Sequence, residues 1–191
     1  MTILYIILIL LQACVIVYFI RRSKRPKLVA PSVPDDNTYE GIRRFALNVT
    51  AGQLKLTIPP ADTFVYGVVM DWNMGETTVT LAAYITGAAN MYFSTGGGIT
   101  GAGKNPVVGE VAVEFVIAAQ SFINRAAATT ITELPAPGTV KFYLLTNKYV
   151  YAAQEQVEYL DDNSSPWLSL FEKGNQVIIE MRKEGNGVMA N

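Results

Sequence analysis

The stretch whose residue types and spacing come nearest to chemistry is Gly98-Ile99-Thr100-Gly101-Ala102-Gly103-Lys104-Asn105. Read as G-x-x-x-x-G-K from Gly98 through Lys104, it would set backbone amides and an ammonium at a helix N-terminus, where phosphates bind. Position 105 is Asn, however, where the motif needs a Ser or Thr hydroxyl for Mg²⁺. The acidic strand that could imitate its partner, Val68-Val69-Met70-Asp71, comes before the loop, in what reads as an antiparallel meander. A phosphate-loop NTPase uses a parallel sheet with several crossover helices. A flexible glycine connection with Asn105 capping the following helix is therefore the favoured reading, and a phosphate loop of Gly98, Gly101, Gly103 and Lys104 is the alternative.

Other candidates are sparser. Asp71 follows four apolar residues at a strand end beside Trp72, which marks either a pocket or the start of a turn. Asp161-Asp162 precede Asn163-Ser164-Ser165 and a helical pattern, where turn chemistry and the positive helix end explain them. Tyr143, Tyr149, Tyr151 and Tyr159 crowd a hairpin, with cross-strand pairing as their ordinary role. The 191-residue chain contains no histidine and one cysteine, Cys14. Ser-His-Asp and Cys-His catalysis and imidazole metal ligation are thereby excluded within the chain, as is an intramolecular disulfide. No catalytic residue, metal site or cofactor is expected.

Positioning begins at the N-terminus, where Thr2–Ile20 is nineteen residues without a charge, followed by RRSKRPK with Arg21, Arg22, Lys24, Arg25 and Lys27. At ~1.5 Å per residue such a helix is about 28 Å long, close to the ~30 Å bilayer core. Basic residues collect on cytoplasmic flanks, so a single-pass cell-membrane protein is expected, with its N-terminus outside and its C-terminal domain in the cytoplasm. Leu11-Gln12-Ala13-Cys14 resembles a lipobox, and an exported lipoprotein is a further alternative. The lack of basic residues before Thr2 and the apolar Val15–Ile20 after the cysteine argue against it. Beyond residue 27 the chain carries 10 basic and 16 acidic residues, a poor composition for binding nucleic acid. The five early basic residues are better matched to anionic lipid headgroups, at about 1 kcal/mol each.

The domain boundaries follow from composition. Residues 1–20 read as the transmembrane helix, 21–37 as a basic juxtamembrane segment and linker with Pro31 and Pro34, 38–182 as a globular domain, and 183–191 as a flexible tail. Ile42, Phe45, Ala46 and Val49 place a helix over 38–49, with its other face polar. Strands follow at 64–72, 76–85 and 89–95, a long helix at 105–126, two more strands at 138–146 and 149–159, and a last helix after Ser165-Pro166. The long helix shows a stripe of Val108, Val111, Phe115, Ala118 and Phe122, and the last one a side of Trp167, Leu168, Phe171, Ile178 and Met181. The expected fold class is α+β: one transmembrane helix, then a mainly antiparallel sheet of about five strands packed by two or three helices.

This order of helix, hairpin VYGVVMDWNMGETTVTLAA, long helix, second strand set and C-terminal helix resembles the roadblock, longin and profilin-like α/β modules over about Thr38 to Arg182. It differs in strand count, with three strands before the middle helix and two after, where roadblock has two and three. The resemblance implies a non-catalytic scaffold that dimerises or engages assembly partners. A binding role, with the bilayer and protein partners in a homo-oligomer or membrane complex, is the expectation that both lines of reading share.

Overall fold

The computed structural model describes residues 37–188, with side chains described to residue 183. The expectations for Thr2–Ile20, for Cys14, for Arg21, Arg22, Lys24, Arg25 and Lys27, and for most of the linker lie outside the described residues, as do the last three positions of the tail.

Helix α1 (Tyr39–Leu47) opens the domain, with the Thr38 side chain capping it by accepting from the Gly41 amide. Strands β1 (Val65–Asn73), β2 (Thr78–Tyr84), β3 (Ala89–Phe93) and β4 (Gly98–Ile99) form a meander. Helix α2 (Pro106–Ala119) continues as a 3₁₀ segment to Arg125 and crosses to the opposite sheet edge, where β5 (Ala127–Thr129) lies. Then come β6 (Thr139–Thr146), β7 (Val150–Gln156), the short helix α3 (Val157–Asp161) and helix α4 (Leu168–Val188). The α+β class holds, but the sheet has seven strands in the order β4-β3-β2-β1-β6-β7-β5 rather than about five. All its pairings are antiparallel. The two additional strands are edges of two and three residues, too short to carry a period. Four strands thus precede the middle helix and three follow it.

Central β1 is buried from Val65 to Asp71 because both sheet faces are covered. Val68 and Met70, with Leu81, Phe142 and Leu144, face the layer of α2 and α4. Tyr66, Val69, Ala82, Tyr84, Tyr143 and Leu145 face α1 and its following loop. Close approach on the first face is set at Gly174 of α4, where a Cβ would lie 2.9 Å from Met70 Sδ. Among the described residues one helical stretch, Pro106–Arg125, is long and apolar enough to cross a membrane, with mean hydropathy 1.5. Here it is a core element, burying Val108, Ala112, Phe115, Val116, Ala119 and Phe122 against sheet and α4.

The α1 stripe holds at Ala46 and Val49, which are buried, and is corrected at Ile42 and Phe45. Gly41, Arg43, Ala46 and Leu47 are the buried positions, whereas Ile42 and Phe45 are only half-buried. The helix is turned so that Arg43, assigned by its type to the polar side, points into the sheet. Its turning has an electrostatic cause, given by what Arg43 meets there.

Candidate functional site

Alternation along β1 sends Asp71 to the α1 face, directly between Thr80 of β2 and Lys141 of β6. Its side chain is fully buried. Arg43 reaches down from α1, its Nε and Nη2 donating to Asp71 Oδ2 at 2.9 and 2.6 Å. The other carboxylate oxygen, Oδ1, accepts from Thr80 Oγ1 at 2.6 Å. Thr80 spends its single proton there, so the 2.8 Å contact with Tyr39 Oη has the tyrosine as donor. Both oxygens of the carboxylate are engaged.

The guanidinium extends the cluster outward. Nη2 also donates to Tyr143 Oη at 3.2 Å, and Nη1 donates to the Thr132 carbonyl at 2.7 Å. Tyr143 Oη passes its proton to the Glu133 carbonyl at 2.7 Å, which Lys141 Nζ also reaches at 3.1 Å. Burial opposes the charge on Arg43, but the hydrogen bond and charge of Asp71 outweigh it and the net direction is upward. Burial lifts the Tyr143 phenol to about 12, with Arg43 working against the rise. Burial likewise raises Tyr39. Asp71 keeps Arg43 a permanent cation, and burial keeps the Tyr39 and Tyr143 phenols neutral near pH 7. The arrangement fixes elements: α1, β1, β2, β6 and the 130–137 segment meet at the Arg43–Asp71 pair.

The glycine-rich segment is placed between β3 and α2, and it is built as a close-packed corner. A Cβ at Gly103 would fall 2.0 Å from the Gly87 carbonyl oxygen, and one at Gly98 would fall 2.3 Å from that of Met91. Gly101 adopts φ 68°, and its amide donates to Asn90 Oδ1 at 2.8 Å. The Lys104 and Asn105 amides bond back to Gly101 and Ala102 carbonyls. Asn105 caps α2 by accepting from the Val107 amide at 2.9 Å, and Pro106 has no amide proton to offer. The amides a phosphate would need at Gly101, Lys104, Asn105 and Val107 are committed within the corner. Lys104 itself is exposed.

The tyrosines do not pair across the hairpin. Tyr143 opposes Ala152, and Tyr151 opposes Leu144, because the two strands align one residue away from a Tyr143–Tyr151 register. Tyr149 stacks edge-on with Tyr151 at 6.4 Å along one strand, and Tyr159 lies exposed on α3. Asp162 acts as turn chemistry requires: its Oδ1 accepts from the Ser164 amide at 2.8 Å, and bonds from Ser164 hold its carboxyl below the usual range. A shallow depression lined by Pro137, Gly138, Gln156, Val157, Glu158, Asp161 and Asp162 adjoins it. An apolar cleft of about 200 Å³ lies at the other end of the sheet, between Leu56, Ile58, Pro59, Phe64 and Ile85. Among the described residues no group of three or more Cys, Asp or Glu side chains is placed to hold a metal ion.

Asp71 and Tyr143 were the positions of this cluster that the sequence singled out, Tyr143 only as part of an aromatic hairpin. Arg43, Tyr39 and Thr80 were missed, because a charge on a helix is ordinarily read as solvent-facing. The usable signal was the pair itself: one buried-strand acid needs one cation, and α1 is the adjacent element supplying it. No protein-family model, curated protein or solved structure matches this chain.

Proposed function

We propose that this protein is a membrane-anchored, non-catalytic binding or scaffold protein. It presents its α+β domain on the cytoplasmic side for homo-oligomerisation or for assembly of a membrane complex. The observation that carries the reading is the juxtaposition of nineteen uncharged residues, Thr2–Ile20, with five basic residues among the next seven. The basic residues Arg21, Arg22, Lys24, Arg25 and Lys27 contact anionic headgroups, and the proline-containing linker holds the domain a short distance off the bilayer.

The polar interior supports binding over catalysis. Asp71, the most suggestive acid in the chain, has both oxygens filled by structural partners and is closed to solvent. Large apolar side chains are left at the surface instead, among them Ile117, Ile131, Leu134 and Tyr149. The roadblock-like element order implies the same kind of role. Crosslinking in intact membranes followed by purification of the full chain tests the proposal. Recovery in a discrete homo-oligomer or heteromeric complex is the expected result. A lone monomer with no copurifying protein would overturn it.

A further inference from the structure

Residues 130–137 form a strap that returns from the β5 edge across the α1 face to the start of β6. Thr129 Oγ1 ends the edge strand by accepting from the Ile131 amide at 2.9 Å. Beyond that point the strap has no ladder partner and is held through its carbonyls. Thr132 O accepts from Arg43 at 2.7 Å, Glu133 O from Tyr143 and Lys141, Pro135 O from Asn73 Nδ2 at 2.8 Å, and Ala136 O from Thr139 Oγ1 at 2.6 Å. All of these donors but one belong to the sheet. Arg43 alone comes from a separate element, α1.

We infer that Arg43 is a latch that makes the seating of the strap conditional on the seating of α1. The guanidinium cannot leave the sheet without releasing Thr132 O and withdrawing the Nη2 contact that holds Tyr143 under Glu133 O. Conversely, with the strap in place, it excludes water from the Arg43–Asp71 pair, so each element protects the other's hydrogen bonds. The far end of α1 is fastened independently, by Tyr84 Oη on Ala46 O and Tyr66 Oη on Val49 O, each at 3.0 Å. Displacement of α1 therefore propagates to a surface carrying Ile131 and Leu134, about 59% and 43% exposed already, on the far side of the central strand. Among the described residues α1 is the first element in the chain, so the latch ties the start of the domain to the strap. The coupling itself does not require a membrane anchor, so its failure and the failure of the anchoring proposal are separate results.

Native-state cleavage of the full chain with a glutamate-specific protease reads both elements at once, after Glu40 in α1 and after Glu133 in the strap, with Glu76 in the β1–β2 turn as reference. Tyr66→Phe/Tyr84→Phe removes two hydrogen bonds that seat α1 without touching Arg43, so α1 leaves the sheet as a whole more often; it is expected to speed cutting after Glu40 and Glu133 together, about tenfold, with Glu76 unchanged. Arg43→Lys keeps a cation for Asp71 but cannot also reach Thr132 O, and it is expected to speed cutting after Glu133 by a similar factor. Near-UV circular dichroism confirms that each variant is folded, and either folded variant suffices for the test. Cutting after Glu133 that is unchanged relative to Glu76 in a folded variant would overturn the proposal.

Discussion

Asp71 and Arg43 are worth less as a bond than as a constraint. Two buried charges are costly to desolvate, and their attraction roughly repays that cost, whereas removal of one leaves the other stranded. Asp71→Ala is therefore expected to destabilise the domain by about 3–5 kcal/mol in urea unfolding, and a joint Asp71→Leu/Arg43→Met replacement by much less than the two single changes combined. A double-mutant cycle measures this directly. The buried phenols contribute a second effect. Tyr92 and Tyr143 titrate at about 12 rather than 10.0, burial being the main cause in each. Both pKa values are raised on folding, so the neutral phenols contribute stability that is fully present below pH ~10 and lost as pH rises through about 12. The unfolding free energy should fall as pH rises from about 10 past 12, by roughly 2–3 kcal/mol per tyrosine once ionisation is complete, and tyrosinate absorbance should follow the same curve.

Two elements show how far a pattern carries before packing takes over. The α2 stripe was legible at Val108, Phe115 and Phe122, while Ala112, Val116 and Ala119 are buried as well, because this helix is covered by both the sheet and α4. On α1 the same periodicity selected Ile42, Phe45, Ala46 and Val49, of which Ala46 and Val49 are buried, but it passed over the buried Arg43 next to Ile42. Hydrophobic period cannot register a buried charge whose partner lies 28 residues downstream. The glycine corner gives the element-scale predictions. Gly103→Ala would drive a Cβ into the Gly87 backbone and should lower the melting temperature markedly, whereas Lys104→Ala should leave it unchanged. Addition of nucleotide with Mg²⁺ should also leave the melting temperature unchanged. A saturating ligand at about 100 times its dissociation constant adds about 2.7 kcal/mol, so binding through Gly98, Gly101, Gly103 and Lys104 would be seen readily.

For the whole molecule, the acidic balance beyond residue 27 separates two uses of the basic segment 21–27. As a local headgroup contact, it should bind vesicles containing anionic lipid and lose about 1 kcal/mol for each of Arg21, Arg22, Lys24, Arg25 and Lys27 changed to Gln. Cosedimentation should show that loss, and raising ionic strength should weaken the wild-type contribution as the Debye length shortens. Apolar insertion through Thr2–Ile20 is insensitive to salt, so the two contributions separate in one titration. The seven-stranded sheet ends in edges of three and two residues, which limits accidental edge-to-edge pairing between copies of the domain.

Sequence by itself determined the class of this protein's domain and its major elements. Strands 65–73, 78–84 and 139–146 and the long helix from Pro106 carry enough consecutive residues for period, caps and turn glycines to agree. It also determined that none of the 191 residues is a histidine that could serve as base or metal ligand. Only tertiary structure decided the orientation of α1, the two short edge strands and the role of Asp71. The first and last depend on the pairing of Arg43 with Asp71 and β5 depends on β7, partners distant in the chain, while β4 pairs with nearby β3 and is too short to show a period. Local pattern reports what a segment must bury, and it is the long-range pairing of charge, hydrogen bond and volume that selects what the segment is buried against.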